Sequence, residues 1–287
     1  MLTADHDAWG HASSTGLGFT HEQIVDAHFE ACRPHYLAVL AEVGIAPGWH
    51  VLDAGCGSGA FLAPLCDLVG ATGRVSGIEL AAENAASASR RVDRDRPGRD
   101  VRVQRGDVLS LPYADRTFDA VWLANTAQYL DDDELRRALR ELRRVLRPGG
   151  VLAVKELDAS LITVRPGDPF QFTDFFRHAA RDGGYARQLL RARDLYGALE
   201  DAGLVSVRQR TFLMEHRAPM TEEVLRFYAA ACARVARQAI DLGVAGEWLP
   251  FLDPQASENP LRARRAYLSE GNTLATGVVP PAPGGER

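Results

Sequence analysis

The chain has 287 residues, of which 46% are hydrophobic and 25% are charged, so it is long enough to bury a large core. Its formal net charge is −5 at pH 7, whereas proteins that bind phosphate backbones are usually basic, so nucleic acid is not the expected partner. No run of about 18 consecutive apolar residues occurs, so neither a membrane span nor a membrane partner is expected.

The first residues and the cysteines predict a cytoplasmic protein. Residues 1–18 are polar and lack the basic start and apolar run of a signal peptide. The four cysteines are widely spaced and form no C-x-x-C pair, so reduced thiols are expected and a structural zinc site is not. They are Cys32, Cys56, Cys66 and Cys232.

Short apolar runs alternate with amphipathic stretches in the first half of the chain. A helical pattern covers about residues 20–43, and Pro34 is expected to kink or divide it. A later helix begins at Asp131, with Glu134 as its capping partner, and ends before Pro148. The apolar runs that predict strands are 49–52, 74–78, 101–104, 118–123 and 151–154. Continuous apolar strands joined by helices predict a doubly wound α/β core.

The regular alternation of apolar runs and amphipathic stretches ends after residue 154. Residues 158–192 are polar and aromatic without a clear strand, and residues 219–268 contain helical patterns at 221–242 and near 261–268. Insertions on one side of a sheet often form a lid, and these two are interpreted in that way. The core elements expected between and after them are a helix at 192–202 and strands at 204–214 and 272–279.

These patterns predict a division of the chain into an N-terminal cap, a core and insertions. The predicted segments are a helical cap (1–45), a cofactor-binding core (46–157), an insertion after the fifth strand (158–192), a core helix and sixth strand (193–218), a helical lid (219–268), a last strand (269–280) and a disordered tail (281–287).

A glycine-rich loop follows the first predicted strand. Its sequence, VLDAGCGSG at residues 51–59, lets the backbone turn sharply and approach a ligand closely, and the next helix offers unpaired N–H groups. Gly55, Gly57 and Ala60 also satisfy the dinucleotide fingerprint G-x-G-x-x-G/A. An oxidoreductase that uses NAD(P) is therefore an alternative at this stage.

Two further acids stand at the ends of the next strands. Glu79 ends the second strand, where a carboxylate can accept hydrogen bonds from ribose hydroxyls, and Asp107 ends the third, where it can accept from an adenine amino group. Asp53 precedes the first glycine by two residues, which suits an acid beside the ammonium group of an amino-acid ligand. A pyrophosphate-containing dinucleotide has little use for that negative charge.

At these residues the chain resembles the class I S-adenosylmethionine-dependent methyltransferases, and in particular small-molecule methyltransferases that tailor natural products. VLDAGCGSG matches the first motif and GIEL the acidic ribose-binding motif. GDVLSLPYADRTFDAVWLANTAQYL matches the adenine-binding segment and fourth strand, and LRRVLRPGGVLAVKE the helix, turn and fifth strand. The four motifs stand in the family's order across residues 47–157, whereas the second half of the chain is hardly covered.

The resemblance implies a cofactor, S-adenosyl-L-methionine, and a Rossmann-like, seven-stranded, mostly parallel sheet with helices on both faces and helical lid insertions. It places the glycines near the methionine part, Glu79 at the ribose, Asp107 at the adenine and Asn125 near the sulfonium. The implied cofactor-binding residues are Asp53, Ala54, Gly55, Cys56, Gly57, Gly59, Glu79, Leu80, Gly106, Asp107, Val108, Asn125 and Gln128. Family members often carry histidine near Gln128, so this chain departs from the pattern there.

No residue type or spacing singles out a catalytic base. Glu156, at the carboxyl end of the fifth strand, is one candidate, and solvated loop charge is its alternative interpretation. His35 and His178 are the histidine candidates, but packed or surface histidine is the preferred interpretation, as it is for His28 and His216. No metal site is expected, because the acidic run at 131–133 is better explained as a helix N-terminus.

The sequence hypothesis is methyl transfer from S-adenosylmethionine to an oxygen, nitrogen or carbon atom of a small organic acceptor, in secondary metabolism. Lys155 is the only lysine, a bias that resembles GC-rich coding. The alternatives are an NAD(P)-dependent oxidoreductase and an S-adenosylmethionine-binding protein that does not catalyse a reaction. Assembly into a homo-oligomer is left open, as are the acceptor and the methylated atom.

Overall fold

One seven-stranded sheet forms the centre of the molecule, in a computed structural model that describes residues 14, 15 and 21–281. The strands are β1 (His50–Ala54), β2 (Arg74–Glu79), β3 (Val101–Arg105), β4 (Phe118–Ala124), β5 (Leu146–Arg165), β6 (Val205–Arg217) and β7 (Tyr267–Val278). The helices are α1 (Glu22–Ala41), α2 (Leu62–Val69), α3 (Ala82–Asp95), α4 (Asp132–Val145), α5 (Gln171–Ala179), α6 (Gly184–Leu190), α7 (Leu195–Asp201) and α8 (Glu222–Asp241).

The strand order is β3-β2-β1-β4-β5-β7-β6. The first five strands pair in parallel, and β7 runs antiparallel to both of its neighbours, β5 and β6. Parallel strands need crossover helices, which cover the faces of the sheet. The predicted Rossmann-like, seven-stranded and mostly parallel sheet is therefore confirmed.

The buried strands supply side chains to two separate cores because successive residues of a strand point to opposite faces. Val51 of β1 belongs to the core that includes α1, α2, α5 and α8, whereas Leu52 belongs to the core beneath α4 and α7. The capping arrangement predicted for α4 is present: Asp131 accepts from the Glu134 backbone N–H at 2.8 Å, and Glu134 accepts from the Asp131 N–H at 2.9 Å.

Three predicted boundaries differ from the structure. Helix α1 is continuous through Pro34. Strand β5 does not end near residue 157 but continues to Arg165, because this polar extension pairs with β7 after a register shift between Asp158 and Thr163. The helix expected near 261–268 is only a 3-10 turn at Pro260–Arg262, since β7 already begins at Tyr267.

Two predicted segments, the N-terminal cap and the C-terminal tail, lie partly outside the residues that the structure describes. Residues 1–13, 16–20 and 282–287, which include part of the expected cap and nearly all of the expected tail, lie outside the described residues. Within the described part of the chain, no helix has the length and apolarity needed to cross a bilayer.

Candidate functional site

A cavity of about 1040 Å³ opens at the carboxyl ends of β1, β2 and β4. Ligands of open α/β sheets bind at this edge, beyond the strand ends. Most of the predicted cofactor-binding residues line it. They are Asp53, Gly55, Cys56, Gly57, Glu79, Leu80, Gly106, Asp107, Val108, Asn125 and Gln128.

Strand register places the acidic side chains next to one another. Asp53 of β1 pairs with Gly77 of β2 on one side and with Trp122 of β4 on the other. Glu79 ends β2 two residues beyond Gly77, and Asp107 follows the end of β3. All three carboxylates line the same cavity.

Asp53 is the most deeply buried of the three acids. Its side chain belongs to a residue that is 2% exposed, and its Oδ2 atom has no hydrogen-bond partner among the described residues. Burial, followed by the charge of Glu79, raises the pKa of Asp53 to about 8. A buried carboxylate without a partner is costly, so the site is suited to a ligand that brings a positively charged donor.

Glu79 is fixed by the backbone around it. Its Oε2 accepts from the Gly57 N–H at 3.0 Å and its Oε1 accepts from the Ala81 N–H at 2.9 Å. Burial raises the pKa of Glu79, while these backbone donors lower it. The carboxylate thus joins the glycine loop to the start of α3, and it keeps lone pairs for hydroxyl groups of a ligand.

The glycines at the cavity have a steric explanation. Gly57 has a φ of +54°, and a Cβ atom on it would lie 3.2 Å from Val25 of α1. A Cβ atom on Gly106 would collide with Ile78. Asp107 follows directly, and its Oδ1 accepts from the Leu109 N–H at 2.8 Å.

Asn125 occupies a strained position at the tip of β4. Its φ of 52° is in the left-handed region, which asparagine tolerates better than most residues. Its Oδ1 accepts from Lys155 Nζ at 2.7 Å, and its Nδ2 donates to the Tyr36 hydroxyl at 3.3 Å. Lys155 also lies 4.1 Å from the centre of the Tyr36 ring. Asn125 is therefore held in one orientation at the cavity wall.

Two predicted cofactor-binding residues do not line the cavity. Ala54 is buried within β1. Gly59 has a φ of +85°, and a Cβ atom there would lie 2.9 Å from the Cβ of Ala88 on α3. Gly59 is therefore needed for close packing between the loop and α3, and its contact with the cofactor stays a prediction.

The three candidate bases also lie away from the cavity wall. His35 packs against His216, with 5.6 Å between ring centres, and His178 is on α5. Glu156 is buried under the site, where its Oε1 accepts from the backbone N–H groups of Thr126 and Ala127 at 2.8 and 2.7 Å. Burial raises the pKa of Glu156, while Lys155 and the backbone donors lower it.

Aromatic and aliphatic side chains from both insertions and from α1 form the wall facing the acids. They include Phe29, Tyr36, Phe172, Phe175, Phe176, Tyr185, Leu189, Phe227, Tyr228 and Leu268. The sequence pattern predicted a lid from residues 158–192 and 219–268 but no particular wall residue within 219–268. A helical stripe of apolar residues is equally typical of a core, so its spacing could not reveal a cavity.

His28, for which a packed or surface histidine was the preferred interpretation, and Glu270 are further functional candidates. Both line the cavity, and their Nε2 and Oε1 atoms are 3.3 Å apart. One sequence signal was available for His28, because it lies four and eight residues before Cys32 and Tyr36 and so shares their helix face. Glu270 gave no signal, because it is a single acid at the start of the last predicted segment (269–280) with no motif around it.

Residues 51–150 match the family model described as a methyltransferase domain. A 37.1 kDa protein of transposon TN4556 from Streptomyces fradiae, described as uncharacterized, is 35% identical over 166 residues, which are 56% of this chain and 47% of that protein. Demethylmenaquinone methyltransferase of Staphylococcus aureus is 32% identical over 140 residues, which are 47% of this chain and 54% of the relative. The chain thus matches about half the length of these relatives.

Solved structures share the fold over most of the chain. The YcgJ protein of Bacillus subtilis superimposes with a TM-score of 0.56, covering 86% of this chain and 99% of that protein, at 18% sequence identity. At that identity the likeness concerns the arrangement of strands and helices alone.

The packing role of Gly59 leads to a stability prediction. Gly59→Ala adds both the strain of a positive φ and a close contact with Ala88, so we expect it to lower the free energy of unfolding by about 1–3 kcal/mol. Gly98→Ala is the matched control, because Gly98 has a φ of +77° but nothing within 4 Å of an added Cβ. Urea unfolding should show the larger loss for Gly59→Ala, and equal losses would contradict the packing role.

Proposed function

We propose that this protein, whose residues 51–150 match a methyltransferase domain, transfers a methyl group from S-adenosylmethionine to a small, largely apolar organic acceptor. The observation that carries the proposal is the convergence of Asp53, Glu79 and Asp107 on one cavity with an aromatic wall. Methyl transfer is an in-line displacement, so alignment of the groups and exclusion of water are the main tasks of the protein.

The residues of the cavity fit this cofactor. The unpartnered Oδ2 of Asp53 suits the ammonium group of the methionine part. Glu79, already oriented by the Gly57 and Ala81 N–H groups, suits the two ribose hydroxyls, and Asp107 suits the adenine amino group. The cofactor supplies a methyl group activated by positively charged sulfur. Aromatic side chains such as Tyr36 are compatible with that positive charge.

The oxidoreductase alternative is less well supported. A dinucleotide would place a pyrophosphate close to the glycine loop, where Asp53 would have to stay protonated and its buried Oδ2 would gain no cationic partner. A binding protein without catalytic activity is the remaining alternative. The large apolar space beyond the acids supports the enzyme, because a protein that only binds the cofactor has no need of it.

The apolar wall supports an acceptor with an apolar skeleton. Phe172, Phe175 and Phe176 of α5, together with Phe227 of α8, supply much of this wall, while Gln188 of α6 and Arg234 and Gln238 of α8 add polar groups to the cavity. A relative similar over part of the chain is named demethylmenaquinone methyltransferase, so the substrate in its name is a small organic molecule. We extend that chemical class, not that substrate, to this protein, and we place it in natural-product metabolism.

We also retain a reducing, cytoplasmic location as a proposal. Its support is that Cys32, Cys56, Cys66 and Cys232 are all buried and free. Burial, with the nearby acids Asp53 and Glu79, raises the pKa of the Cys56 thiol, so this loop cysteine serves as a small neutral residue.

Calorimetry with S-adenosylhomocysteine tests the cofactor assignment. We expect binding at micromolar level or tighter, and we expect Glu79→Ala and Asp107→Ala each to weaken it by roughly 1.5–3 kcal/mol, the value of a hydrogen bond to a charged group. Asp115→Ala is a control, because Asp115 is an exposed acid that does not line the cavity. NAD binding without S-adenosylhomocysteine binding would favour the oxidoreductase instead.

The raised pKa of Asp53 predicts a pH dependence of the same binding. Below pH 8 the free protein holds a proton on Asp53, since burial and Glu79 raise its pKa to about 8. Pairing with an ammonium group requires the carboxylate, so binding releases that proton and affinity should increase with pH between about 6 and 8, by up to about tenfold per pH unit. Asp53→Asn should weaken binding and largely flatten this dependence. An unchanged slope in the variant would contradict the pairing.

A further inference from the structure

His28 and Glu270 form a buried pair at the cavity wall that none of the cofactor contacts uses. His28 lies on α1, and Glu270 lies on β7 with only 4% of its side chain exposed. The imidazole, 17% exposed, lines the cavity together with Phe227 and Leu268 of the apolar wall. The pair is thus located where an acceptor would lie.

Several contacts fix the orientation of the imidazole. Its ring stacks on Phe227 with 4.1 Å between ring centres and 9° between the planes. Its Nε2 is 3.3 Å from Glu270 Oε1 and 3.0 Å from the Tyr36 hydroxyl. Glu270 is itself held by Asn272, whose Nδ2 donates to the same Oε1 at 2.8 Å. In the tautomer that donates from Nε2 to Glu270, the lone pair is on Nδ1, which lies 3.4 Å from the Tyr36 hydroxyl.

Glu270 supplies a negative charge beside this imidazole. Burial raises the pKa of Glu270, but His28, Lys155 and Asn272 together lower it to about 2. Glu270 is therefore a carboxylate at neutral pH, and it stabilises the imidazolium that forms when His28 gains a proton. Other titratable groups around the pair, on every strand or helix that packs against it, are Cys32, His35, Tyr36, Lys155, Glu156, His216 and Tyr228.

The same side chains do not favour a metal ion. The ligand atoms of His28, Cys32 and Glu270 lie within 4.8 Å of one another. However, Cys32 is fully buried, does not line the cavity, and has its Sγ 2.9 Å from the hydroxyl of Tyr228. Burial and Glu270 raise the pKa of the Cys32 thiol, whereas a metal ligand has to be a thiolate. The cluster of His28, Cys32 and Glu270 is therefore better suited to proton transfer by the histidine than to metal binding.

We propose that His28 is the general base of the reaction, with Glu270 as its positioning residue, and that the acceptor is a phenol or enol on an apolar skeleton. This inference rests on the proposed methyl transfer. In the step, the acceptor O–H bond breaks and its proton goes to His28. The oxygen lone pair forms the bond to the methyl carbon, the carbon–sulfur bond breaks, and its electron pair stays on sulfur. The proton then leaves His28 for solvent.

The strength of the base determines which acceptors are acidic enough to lose a proton to it. An imidazolium has a pKa of about 6.5 and a phenol about 10, a gap that a paired and desolvated site can close. An aliphatic alcohol, closer to water at about 15.7, is too weak an acid. A neutral phenol also enters the apolar cavity at lower cost than a charged ammonium group does.

The test uses 4-nitrophenol, whose phenolate has its own absorption band, bound to the full chain saturated with S-adenosylhomocysteine. With His28 as proton acceptor, we expect bound nitrophenol to be ionised at least about tenfold more than free nitrophenol at the same pH, a shift of one pKa unit or more. His28→Gln should abolish the shift, and Glu270→Gln should reduce it. His178→Gln is the matched control, since His178 does not line the cavity, and it should match the unmodified chain.

The outcomes separate the two proposals. Calorimetry with S-adenosylhomocysteine reports on the cofactor site. Absence of binding in the unmodified chain counts against the proposed function, whereas a loss of binding confined to one variant shows that its fold is disturbed. If His28→Gln fails to fold, His28→Asn replaces it in the assay. Retained cofactor binding with no nitrophenol binding, or with an ionisation shift that His28→Gln leaves unchanged, would overturn the base assignment. Stoichiometric zinc that Cys32→Ser removes would overturn it as well.

Discussion

Burying carboxylates at the tips of neighbouring parallel strands is the constraint on which this site depends. Asp53 is nearly inaccessible and its Oδ2 has no partner in the described part of the chain, so its charged form is unfavourable and its pKa rises to about 8. A cationic ligand would stabilise that charged form. The carboxylate of Glu79 is stabilised instead by hydrogen bonds that it accepts from the N–H groups of Gly57 and Ala81. The left-handed glycine between them is what brings the backbone within reach of the second carboxylate.

The remainder of the molecule closes this edge of the sheet. Helix α1 is joined to the glycine loop through Asp26, which accepts hydrogen bonds from Ser58 and, at 2.6 Å, from Arg91 of α3. The insertions add α5, α6 and α8, whose aromatic side chains form the opposite wall. Under the proposed function, such a wall would exclude water and position an acceptor, as a displacement at an activated methyl group requires. Acceptor choice would then depend mainly on residues outside the stretch 51–150 that matches the methyltransferase domain.

The sequence predicted the cofactor half well and the acceptor half poorly, for physical reasons. A glycine loop and acids at strand ends have a fixed local geometry, so the sequence alone could place Asp53, Glu79 and Asp107 at one edge of the sheet. The packing of Gly59 against α3 could not be predicted, because a glycine with positive φ suits a ligand loop and close helix packing equally. The polar extension of β5 and the early start of β7 were missed because antiparallel partners far apart in sequence define them. The roles of His28 and of the sole lysine, Lys155, depend on contacts with Glu270 of β7 and with Asn125 just after β4, which are distant in sequence.

The most direct measurement is a crystal structure of the chain with S-adenosylhomocysteine. The account predicts the ligand ammonium within about 3 Å of the Asp53 carboxylate, the ribose hydroxyls at the same distance from Glu79, and the adenine amino group at Asp107. The sulfur should face Asn125 and the aromatic wall. Ligand density outside this cavity, or density within it that leaves Asp53 without a partner, would contradict the central claim.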